Sequence, residues 1–322
     1  MKKKTALILS LALLVGLLAG CSGSAAAGGS DGRPSVVCTI FPEYDWVRQI
    51  LGDRAGDVEL TLLLGSGVDL HSYQPTADDL VRLSSCDLFI YVGGESEVWV
   101  TDALAEATNE NMVVVDLLDV LGESVREEEV VEGMEAEQGG EDGPEYDEHV
   151  WLSVKNAAVL CGYIASALET VDPDNADAYA ANAESYIAAL DALDSEYQAV
   201  VDGAAFDTVI FGDRFPFRYL VDDYGLRYYA AFVGCSAETE ASFETIAFLA
   251  GKLDELGLPS ILTIEGSKHD VAETIVANTR SGAQTILTLD SMQSTTSEDA
   301  ANGATYLSVM QGNLAVLEDA LN

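Results

Sequence analysis

Histidine is scarce in this chain: His71, His149 and His269 are the three among 322 residues. Basic residues are also few, because 15 lysines and arginines stand against 55 aspartates and glutamates, for a formal net charge of -40 at pH 7. Since nucleic-acid binding relies on basic patches, this balance argues against a nucleic-acid partner. The excess of acid fits solubility through surface repulsion, and it is also compatible with the attraction of cations.

Long apolar runs are missing beyond the N-terminus. No such run reaches about 18 residues, the length at which a stretch becomes a candidate transmembrane helix. The hydrophobic content is nonetheless 48%, which is enough for a core and argues against a disordered protein. A chain of this length predicts one large or two medium domains.

Residues 1–20 are predicted to be a lipoprotein signal peptide. Lysines open it, and the apolar run at residues 6–18 is too short to span a bilayer comfortably. It ends in Leu-Leu-Ala-Gly-Cys, which resembles the lipobox of bacterial lipoproteins and implies cleavage before Cys21 and lipid on its sulfur; the alternative is a plain signal peptide followed by a chance cysteine. Residues 21–34 form a flexible tether by composition. We therefore expect an extracytoplasmic protein, anchored to the cell membrane by lipid on Cys21.

Cysteine is also sparse, and beyond the tether the chain has only Cys38, Cys86, Cys161 and Cys235. An exported compartment permits disulfides, and four cysteines allow three connectivities. There is no CxxC pair and the spacings are wide. Small buried thiols and disulfide bridges therefore both stay open.

Strands and helices alternate along the chain, which predicts βαβ units and mostly parallel sheets. Residues 35–170 are predicted as an N-terminal lobe and residues 204–322 as a C-terminal lobe. Between them, apolar residues recur at spacings of three and four over residues 175–201, which predicts one long helix within the linking segment 171–203. The predicted fold class is α/β: two lobes, each a mostly parallel sheet flanked by helices, joined by that helix.

Residues 123–148 break this alternation. They are rich in Glu, Asp and Gly, and Arg126 is their only basic residue. Because such a segment buries little apolar surface, its middle, residues 133–144, is predicted to be a mobile acidic loop. This loop is either a solvent-exposed loop without a binding role or a segment that binds cations weakly near the site. Carboxylates alone would favour calcium or magnesium over zinc.

Two of the histidines lie in distinctive loops. His71 follows an apolar strand at residues 58–64 and precedes a helix at residues 77–85, where open α/β sheets place ligand sites. His149 lies in the run Asp-Glu-His-Val-Trp-Leu at residues 147–152. Imidazole is the commonest metal ligand among side chains. The two loops are therefore predicted to meet around one metal ion.

Together these features resemble the solute-binding lipoproteins of zinc and manganese ABC transporters. The resemblance rests on the lipobox, on Asp-Leu-His-Ser-Tyr-Gln-Pro-Thr at residues 69–76, on the run at residues 147–152 and on the paired lobes. It implies the metal-type periplasmic-binding-protein fold, with a metal held in the cleft between the lobes by two ligands from each. It further implies a monomer, not an enzyme, that delivers zinc, or next manganese, to an ABC permease and its ATPase.

The resemblance also implies a ligand set. His71 and His149 match the two N-lobe ligands, and Asp290 matches the carboxylate after the last C-lobe strand. The remaining position falls on Arg214, which has no lone pair to offer a metal. Its neighbour Asp213 is predicted to substitute if the loop shifts by one residue; the alternative for this pair is a local salt bridge or a helix N-cap.

Further side chains are candidates for the cleft. Glu265 is a strand-end carboxylate, and His269 could be an auxiliary ligand or a surface residue at a helix start. Two imidazoles with one or two carboxylates suit four-coordinate zinc, whereas two bidentate carboxylates would make manganese reasonable.

Two other functions remain open. A surface adhesin or structural lipoprotein would leave the scarce histidines unexplained. A zinc hydrolase would use Glu265 or Glu148 as its base, yet the sequence has no HExxH motif and no evident G-x-S-x-G elbow.

Overall fold

The computed structural model describes residues 32–135, 146–236, 240–266 and 268–322. Its strands are β1 (Ser35–Cys38), β2 (Glu59–Leu62), β3 (Leu88–Tyr91), β4 (Val113–Asp116), β5 (Thr208–Phe215), β6 (Arg227–Val233), β7 (Ser260–Ile264) and β8 (Thr285–Leu289). Its α-helices are α1 (Phe41–Leu51), α2 (Ala77–Ser85), α3 (Trp99–Ala105), α4 (Leu117–Leu121), α5 (Val154–Val171), α6 (Ala176–Gly203), α7 (Arg218–Tyr224), α8 (Phe243–Leu256), α9 (Asp270–Ala277), α10 (Ser297–Ala301) and α11 (Tyr306–Ala320).

The strands form two four-stranded sheets, with the orders β2-β1-β3-β4 and β6-β5-β7-β8. All of their pairings are parallel. We call the first sheet with its helices the N-lobe and the second the C-lobe. The predicted fold class is confirmed, while the lobe boundaries at residues 170 and 204 stay a prediction. Because parallel strands end at one edge, each lobe presents its carboxyl-end loops together.

Helix α6 joins the lobes. It has 28 residues and so extends roughly 42 Å at 1.5 Å per residue. Its buried face consists of Tyr179, Ala183, Tyr186, Leu190, Leu193 and Tyr197, which belong to a core cluster that includes strands of both sheets. Near its start, Asn182 donates to the carbonyl of Ile50 at 2.9 Å. Near its end, the Tyr197 hydroxyl donates to the carbonyl of Met310 at 2.6 Å.

Hydrogen bonds from the segment at residues 147–153 tie the two lobes together. The Trp151 indole donates to the carbonyl of Ser291 at 2.9 Å. The Tyr219 hydroxyl donates to the carbonyl of Asp147 at 2.7 Å, and the Tyr306 hydroxyl donates to that of Trp151 at 2.7 Å. The N-lobe loop that carries His149 is therefore held directly against the C-lobe.

The sequence pattern predicts C-lobe strands over residues 208–211 and 260–264 and one closing helix over about residues 298–321. The structure has the second strand with these bounds and differs at the other two elements. Strand β5 extends to Phe215 with a register shift after Phe211, so that Asp213 and Arg214 lie in a strand and not in a loop. The single closing helix predicted over residues 298–321 is wrong. It is divided into α10 and α11, because Gly303 has a φ of 101° and Thr305 starts a new helix by accepting from the Ser308 backbone N–H.

The acidic segment at residues 123–148 contacts the C-lobe through Glu135. Glu135 forms a bridge with Phe232, donates its N–H to Ala231 at 2.9 Å and accepts from the Ser242 backbone at 2.6 Å. Residues 133–135 are therefore packed rather than mobile, which corrects the start of the predicted loop. Residues 136–144 lie outside the described part of the chain.

The described cysteines form no disulfide: Cys38, Cys86 and Cys161 are buried free thiols, and Cys235 is a partly exposed one. Cys21 and the signal peptide lie outside the described residues. Within the described ranges, no helix combines the length and apolar character needed to cross a membrane.

Candidate metal centre

His71 lies in a single 3-10 turn, Leu70–Ser72, that follows β2. Asp69 caps the turn by accepting from the His71 backbone N–H at 3.0 Å. The imidazole Nδ1 lies 2.7 Å from the Ser96 hydroxyl and 3.6 Å from the Glu148 carboxylate. These contacts orient the ring so that Nε2 faces His149.

His149 is fully buried immediately before the 3-10 turn Val150–Leu152. The Asp147 carboxylate accepts twice from it, from the backbone N–H at 2.8 Å and from Nδ1 at 2.9 Å. A carboxylate accepts, so Nδ1 carries a proton, and in the neutral ring Nε2 carries the lone pair. That Nε2 lies 3.1 Å from the Nε2 of His71.

The two imidazoles differ in charge preference. Burial lowers the pKa of His71 to about 3, and the neighbouring His149 lowers it further. Burial also opposes charge on His149, but the Asp147 carboxylate outweighs burial and raises the pKa of His149. His71 is therefore neutral at physiological pH and able to coordinate a metal.

Cys235 completes a group of three potential ligands. In the described part of the chain, only His71, His149 and Cys235 form a set of three or more imidazole, thiol or carboxylate groups whose ligand atoms all lie within 4.8 Å of one another. Cys235 follows β6 through Gly234. A Cβ at Gly234 would lie 2.9 Å from the Phe215 carbonyl oxygen and 3.0 Å from Cε1 of His149, so the close approach of this backbone requires glycine.

Acidic neighbours surround the cysteine. Burial raises the pKa of the Cys235 thiol, and the carboxylates of Glu148 and Asp147 raise it further. The same negative charges favour a cation beside the sulfur.

Arg214 crosses the cleft from β5 to the N-lobe. Its Nη2 lies 2.8 Å from the Asp69 carboxylate, and its Nη1 donates to the carbonyl of Ser236 at 3.4 Å. Burial would raise the pKa of Asp69, but Arg214 and His71 outweigh it and lower that pKa. The guanidinium thus forms an ion pair between the lobes at the position where the resemblance implied a ligand.

The predicted C-lobe carboxylates make other contacts. Asp213 accepts from the backbone of Arg214 at 2.9 Å and of Ile264 at 3.3 Å. Glu265 accepts from the Ser291 backbone and hydroxyl, both at 2.7 Å. Asp290 accepts from the Met292 backbone at 2.8 Å; burial, and then the charge of Glu265, raise its pKa to about 6. These three carboxylates lie outside the group that contains the histidines, and their role as ligands stays a prediction.

A cavity of about 660 Å³ opens beside this group, lined by residues of both lobes that include Asp69, Arg214, Asp213, Glu265 and His269. His269 has a φ of 59° at the start of α9, and it lines the same cavity.

The sequence pattern did not predict Cys235 as a candidate ligand, since it left this residue as a buried thiol or half of a disulfide. A signal was present, because Gly-Cys at residues 234–235 follows a strand of the parallel series. The carboxyl ends of such strands are where ligands bind.

Comparisons with known proteins find relatives over nearly the whole described chain. The family described as "Zinc-uptake complex component A periplasmic" (ZnuA) matches residues 36–320. The zinc-binding lipoprotein AdcA of Streptococcus pneumoniae serotype 4 is 31% identical over 324 residues, 99% of this chain and 61% of that protein. This chain thus spans about three fifths of the length of that relative. The high-affinity zinc uptake system protein ZnuA of Bacillus subtilis is 30% identical over 95% of this chain and 94% of that protein.

Solved structures show the same architecture. The metal-dependent lipoprotein YcdH from Bacillus subtilis matches with a TM-score of 0.73 and 27% identity, over 90% of this chain and 99% of that chain. The Zn(II)-bound ZnuA-like domain of Streptococcus pneumoniae AdcA matches with a TM-score of 0.70 and 28% identity, over the same shares.

Proposed function

The chain belongs to the ZnuA family, zinc-uptake complex component A, and from this premise we propose that it captures a zinc ion outside the cytoplasmic membrane and delivers it to an ABC permease. The ion would bind where the loops of the N-lobe meet those of the C-lobe. Zinc is the cargo in this proposal, so it enters and leaves the site.

The imidazole pair is the observation that carries the proposal. Two nitrogens that bind one zinc ion at about 2.0–2.1 Å each, at a tetrahedral angle, lie about 3.3 Å apart. The Nε2 atoms of His71 and His149 lie 3.1 Å apart, which is close to that spacing without rearrangement. The Asp147 carboxylate orients the second ring as outer partners of metal-bound histidines commonly do.

The surroundings of His71 also suit a metal. If both rings are neutral, a hydrogen bond between them would need the proton of His71 on Nε2, whereas metal binding needs it on Nδ1. The Ser96 hydroxyl, 2.7 Å from Nδ1, can accept that proton. One oxygen of Glu148 lies 3.6 Å from Nδ1 and is buried without a hydrogen-bond partner. This orphaned acceptor supports a metal site over a simple pair of hydrogen-bonded rings.

Zinc is the proposed metal, with manganese next. Paired imidazoles favour zinc over manganese in the Irving–Williams order. An adhesin without a transport role is not favoured, because it has no use for two buried imidazoles with converging lone pairs. A hydrolase is not favoured, because the relatives reported above are named for zinc binding and uptake.

The setting of this function is proposed from the sequence. We infer a lipid anchor on Cys21, a monomer that does not act as an enzyme, and an ABC permease with its ATPase as partners. A lipoprotein among the relatives supports the anchor.

Isothermal titration calorimetry of the mature chain without lipid tests the proposal. Zinc should bind at one equivalent to the wild type, and His71→Ala or His149→Ala should each weaken binding at least 100-fold while circular dichroism shows a folded protein. His269→Ala is the matched control and should keep wild-type affinity. A wild type that binds no zinc, or histidine variants that bind as tightly as the wild type, would contradict the proposal.

A further inference from the structure

We propose that the thiolate of Cys235 is the third protein ligand of the metal ion, so that the C-lobe contributes a sulfur where Arg214 offers no lone pair. This inference rests on the proposed function, because it concerns the same ion. It changes the expected ligand set from histidines with carboxylates to His71, His149 and Cys235.

Distances support the sulfur as a ligand. The ligand atoms of the three residues all lie within 4.8 Å of one another. In a tetrahedral site with zinc–sulfur at about 2.3 Å and zinc–nitrogen at about 2.0–2.1 Å, sulfur and nitrogen lie about 3.6 Å apart. The group therefore needs to contract by at most about 1 Å, within the reach of a side-chain rotation.

The backbone brings the cysteine to the histidines. Gly234 packs against the His149 ring so closely that a Cβ there would lie 3.0 Å from Cε1. The following residue, Cys235, therefore lies at the rim of the imidazole pair. Its backbone N–H is fixed by a hydrogen bond to Glu128 at 3.4 Å, and its thiol is free of any disulfide.

Arg214 acts as a positioning residue in this arrangement. It donates to the carbonyl of Ser236 at 3.4 Å, one residue beyond the cysteine, and it is anchored by its ion pair with Asp69 at 2.8 Å. It thereby connects the segment that carries Cys235 to the loop that carries His71. The arginine serves the site by holding two ligand loops together.

A sulfur ligand changes which metal the site selects. Thiolates favour zinc and other soft or borderline ions, whereas manganese prefers carboxylate, carbonyl and water oxygens. Two imidazoles and one thiolate leave one position of a tetrahedral ion for water or for a cleft carboxylate. The set therefore favours zinc over manganese more strongly than a site completed by Asp290 or Asp213 would.

Cobalt(II) spectroscopy of the mature chain tests the proposal, because a thiolate bound to cobalt gives an intense near-ultraviolet charge-transfer band that nitrogen and oxygen ligands do not give. The wild type should show this band at one equivalent of cobalt. Cys235→Ser should lose the band and bind zinc more weakly, by at least the 10–100-fold typical of losing even an outer partner. Cys86→Ala removes a thiol far from the histidines and should keep the band.

The outcomes separate the two proposals. Cobalt binding without the band in the wild type, or a band that persists in Cys235→Ser, would overturn the thiolate ligand and leave zinc capture standing. A wild type that binds neither cobalt nor zinc would contradict the proposed function itself. Should Cys235→Ser fail to fold, the band of the wild type and of Cys86→Ala still decides between a sulfur ligand and none.

Discussion

His71 and His149 meet from positions 78 residues apart in sequence, and each ring is held at its Nδ1 so that its Nε2 is free. Asp147 fixes the His149 ring more firmly than Ser96 fixes the His71 ring, because the Asp147 carboxylate accepts from both the backbone and the ring of His149. At the residue scale, the proposed zinc site therefore depends on a carboxylate, that of Asp147, that would not touch the ion.

Replacing Asp147 by asparagine should weaken zinc binding. The amide oxygen can still accept from the backbone, but the neutral side chain stabilises the Nδ1–H tautomer of His149 less well. We expect a loss of about 10–100-fold in affinity, measured by competition with a chromophoric chelator. Asp78→Asn, at an exposed position of α2, is the control; wild-type affinity in Asp147→Asn would show that the orientation of His149 does not depend on this contact.

Glu97 gives the protein a pH-dependent stability. It is buried in the N-lobe, and burial raises its pKa from 4.5 to about 8. A carboxyl whose pKa is higher in the folded than in the unfolded state loses stability as pH rises from the unfolded value through the folded one, by about 1.4 kcal/mol per pKa unit. We therefore expect the free energy of unfolding to fall between pH 5 and pH 8.

Glu97→Gln should reduce the fall in the free energy of unfolding between pH 5 and pH 8. Urea unfolding at both pH values, with chelator present, measures this fall. Glu110→Gln removes an exposed carboxylate of the N-lobe and should leave the pH dependence unchanged. An unchanged dependence in Glu97→Gln would assign it to other groups.

The sequence was most informative where a residue type is rare. His71 and His149 could be predicted to lie together because the chain has only three histidines and these two lie in distinctive sequence runs. Arg214 could be recognised as a residue that does not bind a metal, because its guanidinium has no lone pair to offer. The ion pair of Arg214 with Asp69 could not be predicted, because it joins residues 145 positions apart. Cys235 was not predicted to lie beside the histidines, because a single sequence does not show which loops meet.

At the scale of elements, local signals fixed several boundaries. Helix α2 begins where predicted, because Thr76 and Asp79 form a capping box. Strand β7 also has its predicted bounds. The extension of β5 was missed because Gly-Asp-Arg has little strand propensity, and its pairing of Arg214 with Phe232 is set by the neighbouring strand.

Gly234→Ala should disturb the site through the backbone. Its methyl group would lie 2.9 Å from the Phe215 carbonyl and 3.0 Å from the His149 ring, so the chain after β6 must move. We expect a loss of about 1–3 kcal/mol in stability together with weaker zinc binding, measured by urea unfolding and calorimetry. By contrast, Gly251→Ala, with open space around it in α8, should stabilise by about 0.5–1 kcal/mol. If Gly234→Ala and Gly251→Ala had the same effects on stability and zinc binding, the backbone at Gly234 would not lie close to the His149 ring.

At the scale of the whole molecule, the alternation of strands and helices was sufficient to predict two parallel sheets and one long helix. The alternation could not predict how firmly the lobes are joined. One core cluster includes residues of both sheets and of α6, and the Trp151 and Tyr306 hydrogen bonds cross between the lobes. We therefore expect the lobes to unfold in one transition and to shift only modestly when the ion leaves.

The most direct test of zinc capture is a thermal melt of the mature chain with chelator, with zinc and with manganese. A ligand that binds only the folded state at 100 times its dissociation constant adds about 2.7 kcal/mol of stability. We predict one bound equivalent of zinc, a single transition at a clearly higher temperature with zinc than with chelator, and a smaller shift with manganese. Melting curves that coincide in all three conditions, with no zinc retained, would contradict the assignment of this protein as a zinc-capturing component.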